Sequence, residues 1–250
     1  MDIFAYLDRI VYRGPRAATI ETLKSLHRAH MFSVPFENLD IGLGRTIVCD
    51  QARFLHKIVD EHRGGFCYEL NGAFAALLRA LDFRVTMLSA RVSHADGRQG
   101  PDFDHMALLV DLQQPWLADV GFGDSFVEPL RLEPGVQQEQ ASRLYRIDIR
   151  DGRYRYLSKI DGAWKDQYSF TLQPHRLPEF SAMCQYQQTS PDSHFTHNSI
   201  CSLATPEGRV TLSGDKLIET TKGQKQERVI DQAARHAILS QRFGIRLPAS

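Results

Sequence analysis

Cys67 stands in a run of residue types arranged for nucleophilic chemistry, Arg63-Gly-Gly-Phe-Cys-Tyr-Glu-Leu-Asn-Gly-Ala-Phe74. Cys67, Leu70, Asn71, Phe74, Leu77, Leu78 and Leu81 recur at helical spacing and mark one face of a helix that the cysteine opens. A thiol in the first helical turn sits among unpaired N–H groups, where the dipole favours an anion. Gly64 and Gly65 let the backbone turn tightly before it and leave the approach to the sulfur open. The competing reading is a small buried apolar cysteine on a core helix; the glycine pair and the helix start favour the nucleophile.

Such a nucleophile needs a base, and the base needs an orienting group. Of ten histidines, His105 is singled out because it begins a strand at the edge of a polar loop. A histidine at a strand end that merely faces water is the bland alternative. Three carboxylates lie close to it in sequence. Asp104 is its neighbour, and neighbours on a strand point to opposite faces. Asp102 lies in the loop. Asp119 ends the returning strand, a few residues from the position across from His105, where it would equally cap the following glycine turn. Gly121-Phe-Gly123 lacks the third glycine of a dinucleotide fingerprint, and Pro129 follows where a helix should run, so it reads as an open turn beside the reacting centre.

The elements that must position these groups come in layers. Phe4, Leu7, Ile10 and Val11 predict a first short helix ended at Gly14-Pro15. Thr19 predicts the cap of a second, with Ile20, Leu23 and Leu26 inward, and Asp50 the cap of a third over Phe54, Leu55 and Ile58. Between them Val34-Pro-Phe-Glu-Asn-Leu-Asp40 reads as irregular, because Pro35 breaks the helix. From Arg84 the period shortens. Strands are expected over 84–92, 105–112 and 116–120, and Asp151-Gly152 and Asp161-Gly162 mark two hairpins. The middle region is therefore an antiparallel meander, curled or closed into a barrel. Pro178 starts a short helix carrying Phe180, Met183 and Cys184; Ser190–Phe195 reads as a loop. Hairpin strands then flank Pro206-Glu-Gly208, and Asp231 caps a last helix with Ala234, Ala237, Ile238 and Gln241 on one side and Gly244 as its stop. Helices, then strands, then a mixture, mean an α+β chain in layers.

Composition narrows the function. The 250 residues carry 30 basic and 30 acidic side chains, which argues against a general nucleic-acid binder and against a polybasic membrane anchor. No apolar run approaches membrane length, and no secretory segment opens the chain. Cys49, Cys67, Cys184 and Cys201 form no C-x-x-C pair, so no metal is expected and free thiols in a reducing, cytoplasmic compartment are.

With Cys67, His105 and Asp119 in that order, the sequence resembles the arylamine N-acetyltransferase family. The segments that carry the likeness are Pro35-Phe-Glu-Asn-Leu-Asp40, Arg63-Gly-Gly-Phe-Cys-Tyr-Glu-Leu-Asn-Gly72, His105-Met-Ala-Leu-Leu-Val110, Ala118-Asp-Val-Gly-Phe-Gly123, Ser193-His-Phe195 and Gln241-Arg-Phe-Gly-Ile245. Only five residues follow Ile245, where family members often continue, which puts a tail contribution to the site entrance in doubt. The resemblance implies a helical bundle (1–82) with the nucleophile, an antiparallel β-barrel (83–188) with the histidine and aspartate, and an α/β lid (189–250), around a core like that of cysteine proteases. It implies a Cys67–His105–Asp119 triad, acetyl-coenzyme A as co-substrate, and a small aromatic amine, hydrazine or N-hydroxyarylamine as acceptor. Phe36, Phe122 and Phe195 would line the acceptor cleft, and Arg63 would pair with Glu37 to hold the loop before Cys67. A thiolate attacks the thioester, the Cys67 amide helps hold the oxyanion, and the acetyl-cysteine passes its acyl group to the amine. Two other readings use the same residues: a cysteine-dependent hydrolase or amide synthase with another acyl donor, and a non-catalytic protein that binds an aromatic ligand.

Overall fold

Three helices begin where a capping side chain is expected. In the computed structural model, which describes residues 1–141 and 143–247, Thr19 Oγ1 accepts the Thr22 N–H at 3.3 Å, Asp50 Oδ1 the Arg53 N–H at 2.9 Å and Asp231 Oδ1 the Ala234 N–H at 2.7 Å. Each bond satisfies a donor that a helix start leaves open. The first eighty residues form α1 (Ile3–Arg9), α2 (Ile20–Ser33), α3 (Leu39–Gly42), α4 (Gln51–Leu55) and α5 (Cys67–Ala80). The first helix departs from expectation. It stops at Arg9; Leu7 and Ile10 are buried, but Phe4 and Val11 are exposed, Val11 takes a left-handed φ of 54°, and Tyr6 is the further residue that points inward.

The helix α5 is buried on every side from Cys67 to Leu78, not on one face only. A helix apolar all round belongs at the centre of a core. Its small residues allow that position: a Cβ on Gly72 would meet the Phe54 ring at 2.9 Å. Leu70, Phe74, Leu77 and Leu78 join α1, α2 and α4 to Met106, Leu108 and Val110 in one apolar cluster, so α5 is clamped between bundle and sheet.

The strands run β2 (Arg84–Val92), β3 (His105–Asp111), β4 (Pro115–Ala118), β5 (Leu130–Arg131), β6 (Gln137–Gln140), β7 (Arg143–Arg150), β8 (Arg153–Ile160) and β9 (Ala163–Phe170). They form one antiparallel sheet in the order β5-β4-β3-β2-β9-β8-β7-β6. Both Asp-Gly pairs make two-residue turns with positive φ at each position, the geometry that matches strand twist. The sheet curls until its edges nearly meet, and glutamine side chains bridge the seam. The Gln138 amide bonds the Arg131 backbone N–H and carbonyl at 2.8 and 2.9 Å, and the Gln140 amide bonds the backbone of Val127 and Glu128. Leu88, Ala107, Leu117, Phe126, Tyr156 and Tyr168 fill the interior.

Beyond the barrel lie a 3₁₀ turn (Leu177–Phe180), α6 (Ser181–Thr189), α7 (His194–His197), β10 (Ile200–Thr205), β11 (Gly208–Ser213), β12 (Lys216–Thr221), β13 (Gln224–Val229) and α8 (Gln232–Phe243). The stretch expected as a loop ends in the short α7, capped by Ser193 Oγ on the Phe195 N–H. On α8 the buried residues are Ile238, Leu239 and Phe243, while Ala237 and Gln241 are exposed. Gly244 ends it at a φ of 68°, as expected. The segment around Pro35 is not wholly irregular either. Phe36–Glu37 forms an edge strand, β1, of the second sheet, paired with Ser202 and Cys201. Residues 248–250, the end of the expected lid, lie outside the described residues.

Candidate active site

Strand register decides which carboxylate faces the histidine. Leu108 pairs with Ala118, so continuing the ladder puts Asp119 across from Ala107, on the same face as His105 and one diagonal step away. His105 Nε2 donates to Asp119 Oδ2 at 2.7 Å, with both residues buried. The other two carboxylates are engaged elsewhere: Asp104 accepts from Gln187 and Asp102 from Arg91.

Cys67 is the first residue of α5, and its side chain lies beside the His105 ring, where it favours the ring's charged form. Because Nε2 is taken by Asp119, the ring offers Nδ1 to the sulfur. The structure thus brings together Cys67, His105 and Asp119 from helix α5, strand β3 and the end of β4. Burial by itself would lower the His105 pKa, but the Asp119 charge, the bond to it and the contact with Cys67 push it up to about 10. Asp119 is also buried, yet the His105 charge and the bonds from His105, Asn71 and Gly121 hold its carboxyl below the usual range; with Tyr168 it accepts four bonds in all.

Those four bonds use both oxygens. His105 Nε2 and the Tyr168 hydroxyl (2.9 Å) donate to Oδ2; Asn71 Nδ2 and the Gly121 N–H, each at 2.9 Å, donate to Oδ1. The Gly121 bond is the turn cap that was the rival reading of Asp119, so the residue does both. Asn71 lies one helical turn beyond Cys67. Its amide also donates to Met106 O at 2.6 Å and accepts from Val120 N–H at 3.0 Å, fastening α5 to both site strands. Gly121 is pressed against Cys67: a Cβ there would stand 2.8 Å from the Cys67 Cα and 2.8 Å from Asn71 Nδ2.

The glycine pair serves a different end from the one expected. Neither Gly64 nor Gly65 has a left-handed φ. A Cβ on Gly64 would lie 1.9 Å from the Pro35 carbonyl oxygen, and one on Gly65 would lie 2.7 Å from Glu69 Oε2. Gly64 is glycine so that the Pro35–Glu37 backbone can run alongside, with Glu37 N–H bonded to Gly65 O at 2.8 Å, and Gly65 so that the Glu69 side chain can fold back over it. The Arg63–Glu37 pair is buried, not exposed, and belongs to a five-member cluster. Arg63 reaches Glu37 and Asp40 at 2.7 and 3.0 Å, and Lys57 reaches Asp40 and Glu69 at 2.7 and 2.8 Å. Glu69 in turn accepts the Phe66 N–H at 3.1 Å, fixing the residue before Cys67.

The three phenylalanines gather around this centre. Phe122 stands edge-on to His105 with ring centroids 5.0 Å apart. Phe36 and Phe195 are 6.2 Å apart, and the Phe36 ring is also the nearest neighbour of the Gly123 position. All three are half-buried. Asn38 holds Phe195 in place by donating to Phe195 O and Asn198 O at 3.1 and 2.7 Å. A cleft of 1020 Å³ opens at Asp124 and Ser125, directly after the Phe122 turn, and is walled by Arg143 of β7 and Arg209 of β11. Both guanidiniums bond the one Asp124 carboxylate. Among the described residues, no group of three or more His, Cys, Asp or Glu is disposed to hold a metal ion, and no helix is long and apolar enough to cross a membrane.

Asn71, Tyr168 and His27 were not singled out as site residues from the sequence. His27, on α2, accepts the Asp119 backbone N–H at 3.1 Å. Asn71 carried a readable signal, since it is the one amide on the otherwise apolar α5 stripe. Tyr168 and His27 carried none, because they reach Asp119 only through tertiary folding.

Comparison with known proteins gives the same picture over the whole chain. A family model described as N-acetyltransferase matches residues 19–250. An arylamine N-acetyltransferase of Gallus gallus, the pineal gland isozyme, is 35% identical over 99% of this chain and 95% of its own. One from Mycolicibacterium smegmatis is 35% identical, covering 99% and 93%. The solved arylamine N-acetyltransferase of Mycobacterium marinum in complex with CoA superposes with a TM-score of 0.92 at 32% identity, over 98% of this chain and 93% of that one.

Proposed function

The chain belongs to the arylamine N-acetyltransferase family, and from that premise we propose that Cys67 carries an acetyl group from acetyl-coenzyme A to an arylamine, arylhydrazine or N-hydroxyarylamine. The protein is an acyltransferase, and acetyl-coenzyme A is its co-substrate. The single observation that supports the triad reading is the buried His105–Asp119 hydrogen bond, made to a carboxylate with no free lone pair, beside the Cys67 side chain.

In this reading His105 holds the proton drawn from Cys67, and Asp119 stabilises the imidazolium. The thiolate attacks the thioester carbonyl. The Cys67 backbone N–H, left open by its place in the first turn of α5, faces the oxyanion. The tetrahedral species collapses by breaking the bond to the coenzyme sulfur, which leaves with the proton from His105. The amine then attacks acetyl-Cys67, His105 takes the amine proton, and the Cys67 thiolate is released as the amide forms. A thioester suits a weakly basic aniline nitrogen because it is a better acyl donor than an oxygen ester.

Phe36, Phe122 and Phe195 give the acceptor a flat apolar wall beside His105. The cleft at Asp124 is large enough for the coenzyme's nucleotide end. Arg143 and Arg209 share one carboxylate there, which leaves net positive charge for phosphates. We take the units 1–82, 83–188 and 189–250 as bundle, barrel and lid; one apolar cluster runs across the first boundary, from α5 to Met106, Leu108 and Val110, and α6 lies beyond the barrel strands at the second. Four unpaired cysteines accord with a reducing cytoplasm.

The test is release of free coenzyme A from acetyl-coenzyme A, followed with and without an aromatic amine. Steady turnover that requires the amine, and is lost in Cys67→Ala while the fold is retained, is expected. Steady release without amine would mark a hydrolase, and full turnover in Cys67→Ala would end the proposal.

A further inference from the structure

His27 does no chemistry in the scheme above, yet one side chain of the bundle closes the most important turn of the barrel. It is completely buried on α2. Its Nδ1 lies 2.9 Å from the Val127 carbonyl oxygen, which can only accept, so the proton is on Nδ1. Its Nε2 accepts the Asp119 backbone N–H at 3.1 Å. Burial lowers its pKa to about 4, so it keeps this neutral tautomer throughout the working range. The ring stacks on Phe126 with centroids 5.6 Å apart and meets the Phe74 edge at 5.8 Å. Its charge interactions are with Asp119 and with His30, the latter on its own helix.

Residues 119 and 127 are the two ends of one excursion of the chain. Within it lie the Asp119 carboxylate, Gly121 against the Cys67 backbone, Phe122 against His105, and Asp124 at the mouth of the cleft. We infer that His27 is a positioning residue for acyl transfer: an imidazole of fixed tautomer that bonds the backbone at both ends of the 119–127 excursion and so sets, from helix α2, where Asp119 and Phe122 stand. The inference rests on Asp119 acting through His105. Its physical basis is leverage. The Asp119 side chain has its four donors, but only His27 holds the Asp119 backbone N–H among the described residues. If that anchor is lost, the carboxylate is free to shift relative to His105 while its own bonds adjust.

The imidazole can be taken apart one nitrogen at a time. In His27→Asn the amide nitrogen stands where Nδ1 stood and still donates to Val127, but nothing reaches Asp119. In His27→Gln the amide oxygen stands near the Nε2 position and still accepts from Asp119, but the Val127 bond is lost. Each variant gives up one buried hydrogen bond, so their melting temperatures should fall by similar amounts. Their chemistry should not. Acetylation of Cys67 in a single turnover should slow by up to about a hundredfold in His27→Asn, the scale of an ångström-sized misplacement, and by less than about tenfold in His27→Gln. The His105 titration midpoint, read by NMR, should drop in His27→Asn and stay near its wild-type position in His27→Gln. In an Asp119→Asn background, adding His27→Asn should cost little further rate, because both act through one carboxylate. Equal rates in the two single variants with an unmoved His105 midpoint would overturn the inference and leave His27 as packing. An Asp119→Asn single variant with wild-type acetylation would instead overturn the triad, whatever the His27 variants do.

Discussion

His105 Nε2 and Asp119 Oδ2 stand 2.7 Å apart in a fully buried setting, and three further donors close around the same carboxylate. A carboxylate saturated in this way is a fixed charge. It holds the ring in one orientation and leaves Nδ1 for Cys67.

The pH dependence of that pair has a definite sign. The folded pKa of His105, about 10, lies above the ordinary histidine value of 6.5. The pair's contribution to stability is therefore complete below pH 6.5 and is lost as pH rises toward about 10. In wild type the His105 resonances should titrate near the upper end of that window. In Asp119→Asn the main charge opposing burial is gone and only Cys67 still favours the imidazolium, so the midpoint should fall well below its wild-type position. Acetylation of Cys67 should slow by about 10⁴, as expected when a triad loses its orienting carboxylate. An Asp119→Asn protein with an unshifted histidine would remove the electrostatic part of the account.

Asn71→Leu tests how α5 is tied to the strands. The substitution strips partners from Met106 O, Val120 N–H and one Asp119 oxygen, all buried. The Asp119 oxygen keeps the Gly121 N–H, so two groups lose this partner outright; at about 1–3 kcal/mol for each group left unsatisfied, a loss of about 2–6 kcal/mol is expected in urea unfolding. Catalysis should fall further than in a core variant of equal instability. A loss near 1 kcal/mol would mean that water or backbone shifts replace the amide.

The sequence carries the fold unevenly, and the reasons are physical. Caps at Thr19, Asp50 and Asp231, the Asp-Gly hairpins and the Gly244 stop act through local geometry, so they can be read without knowing the rest of the chain. The inward side of α1 and α8 cannot, because the neighbouring elements choose which residues are covered. The nearness of residues 105 and 119 was legible because strand spacing and the turn at Gln113-Gln114 bring them within a few residues of each other, while the choice among the three carboxylates needed the strand register. Gly64 and Gly65 were legible as special and misread in purpose: what demands glycine at 64 is a passing segment at Pro35, nearly thirty residues away, and at 65 the side chain of Glu69. The Arg63–Glu37 pair was expected and is present, but its burial was not legible, because it depends on Lys57, Asp40 and Glu69 closing around it.

That charged cluster gives a third prediction. Removing one member leaves a buried charge uncompensated, and Arg63→Ala should destabilise the protein by about 3–5 kcal/mol. The exposed Arg13–Asp8 pair should contribute about 1 kcal/mol or less, so Arg13→Ala should scarcely move the unfolding midpoint. Similar shifts for the two in parallel urea titrations would show that burial of the cluster is not what matters.

Gly121→Ala tests contact between the turn and the nucleophile. The added methyl would meet the Cys67 Cα and Asn71 Nδ2, each at 2.8 Å, and neither is the free end of a flexible chain. The turn must lift away from α5. A fall of about a hundredfold in kcat is expected, with Phe122 moved off His105. Wild-type kcat would show that the turn's distance from Cys67 does not limit the reaction.

The most direct measurement is intact-protein mass spectrometry after brief exposure to acetyl-coenzyme A without an amine. The account predicts one added acetyl group, located on Cys67 by peptide mapping and discharged when an aromatic amine is supplied. A protein that turns over acetyl-coenzyme A and amine yet never carries that group, or carries it on another residue, would contradict the account at its centre.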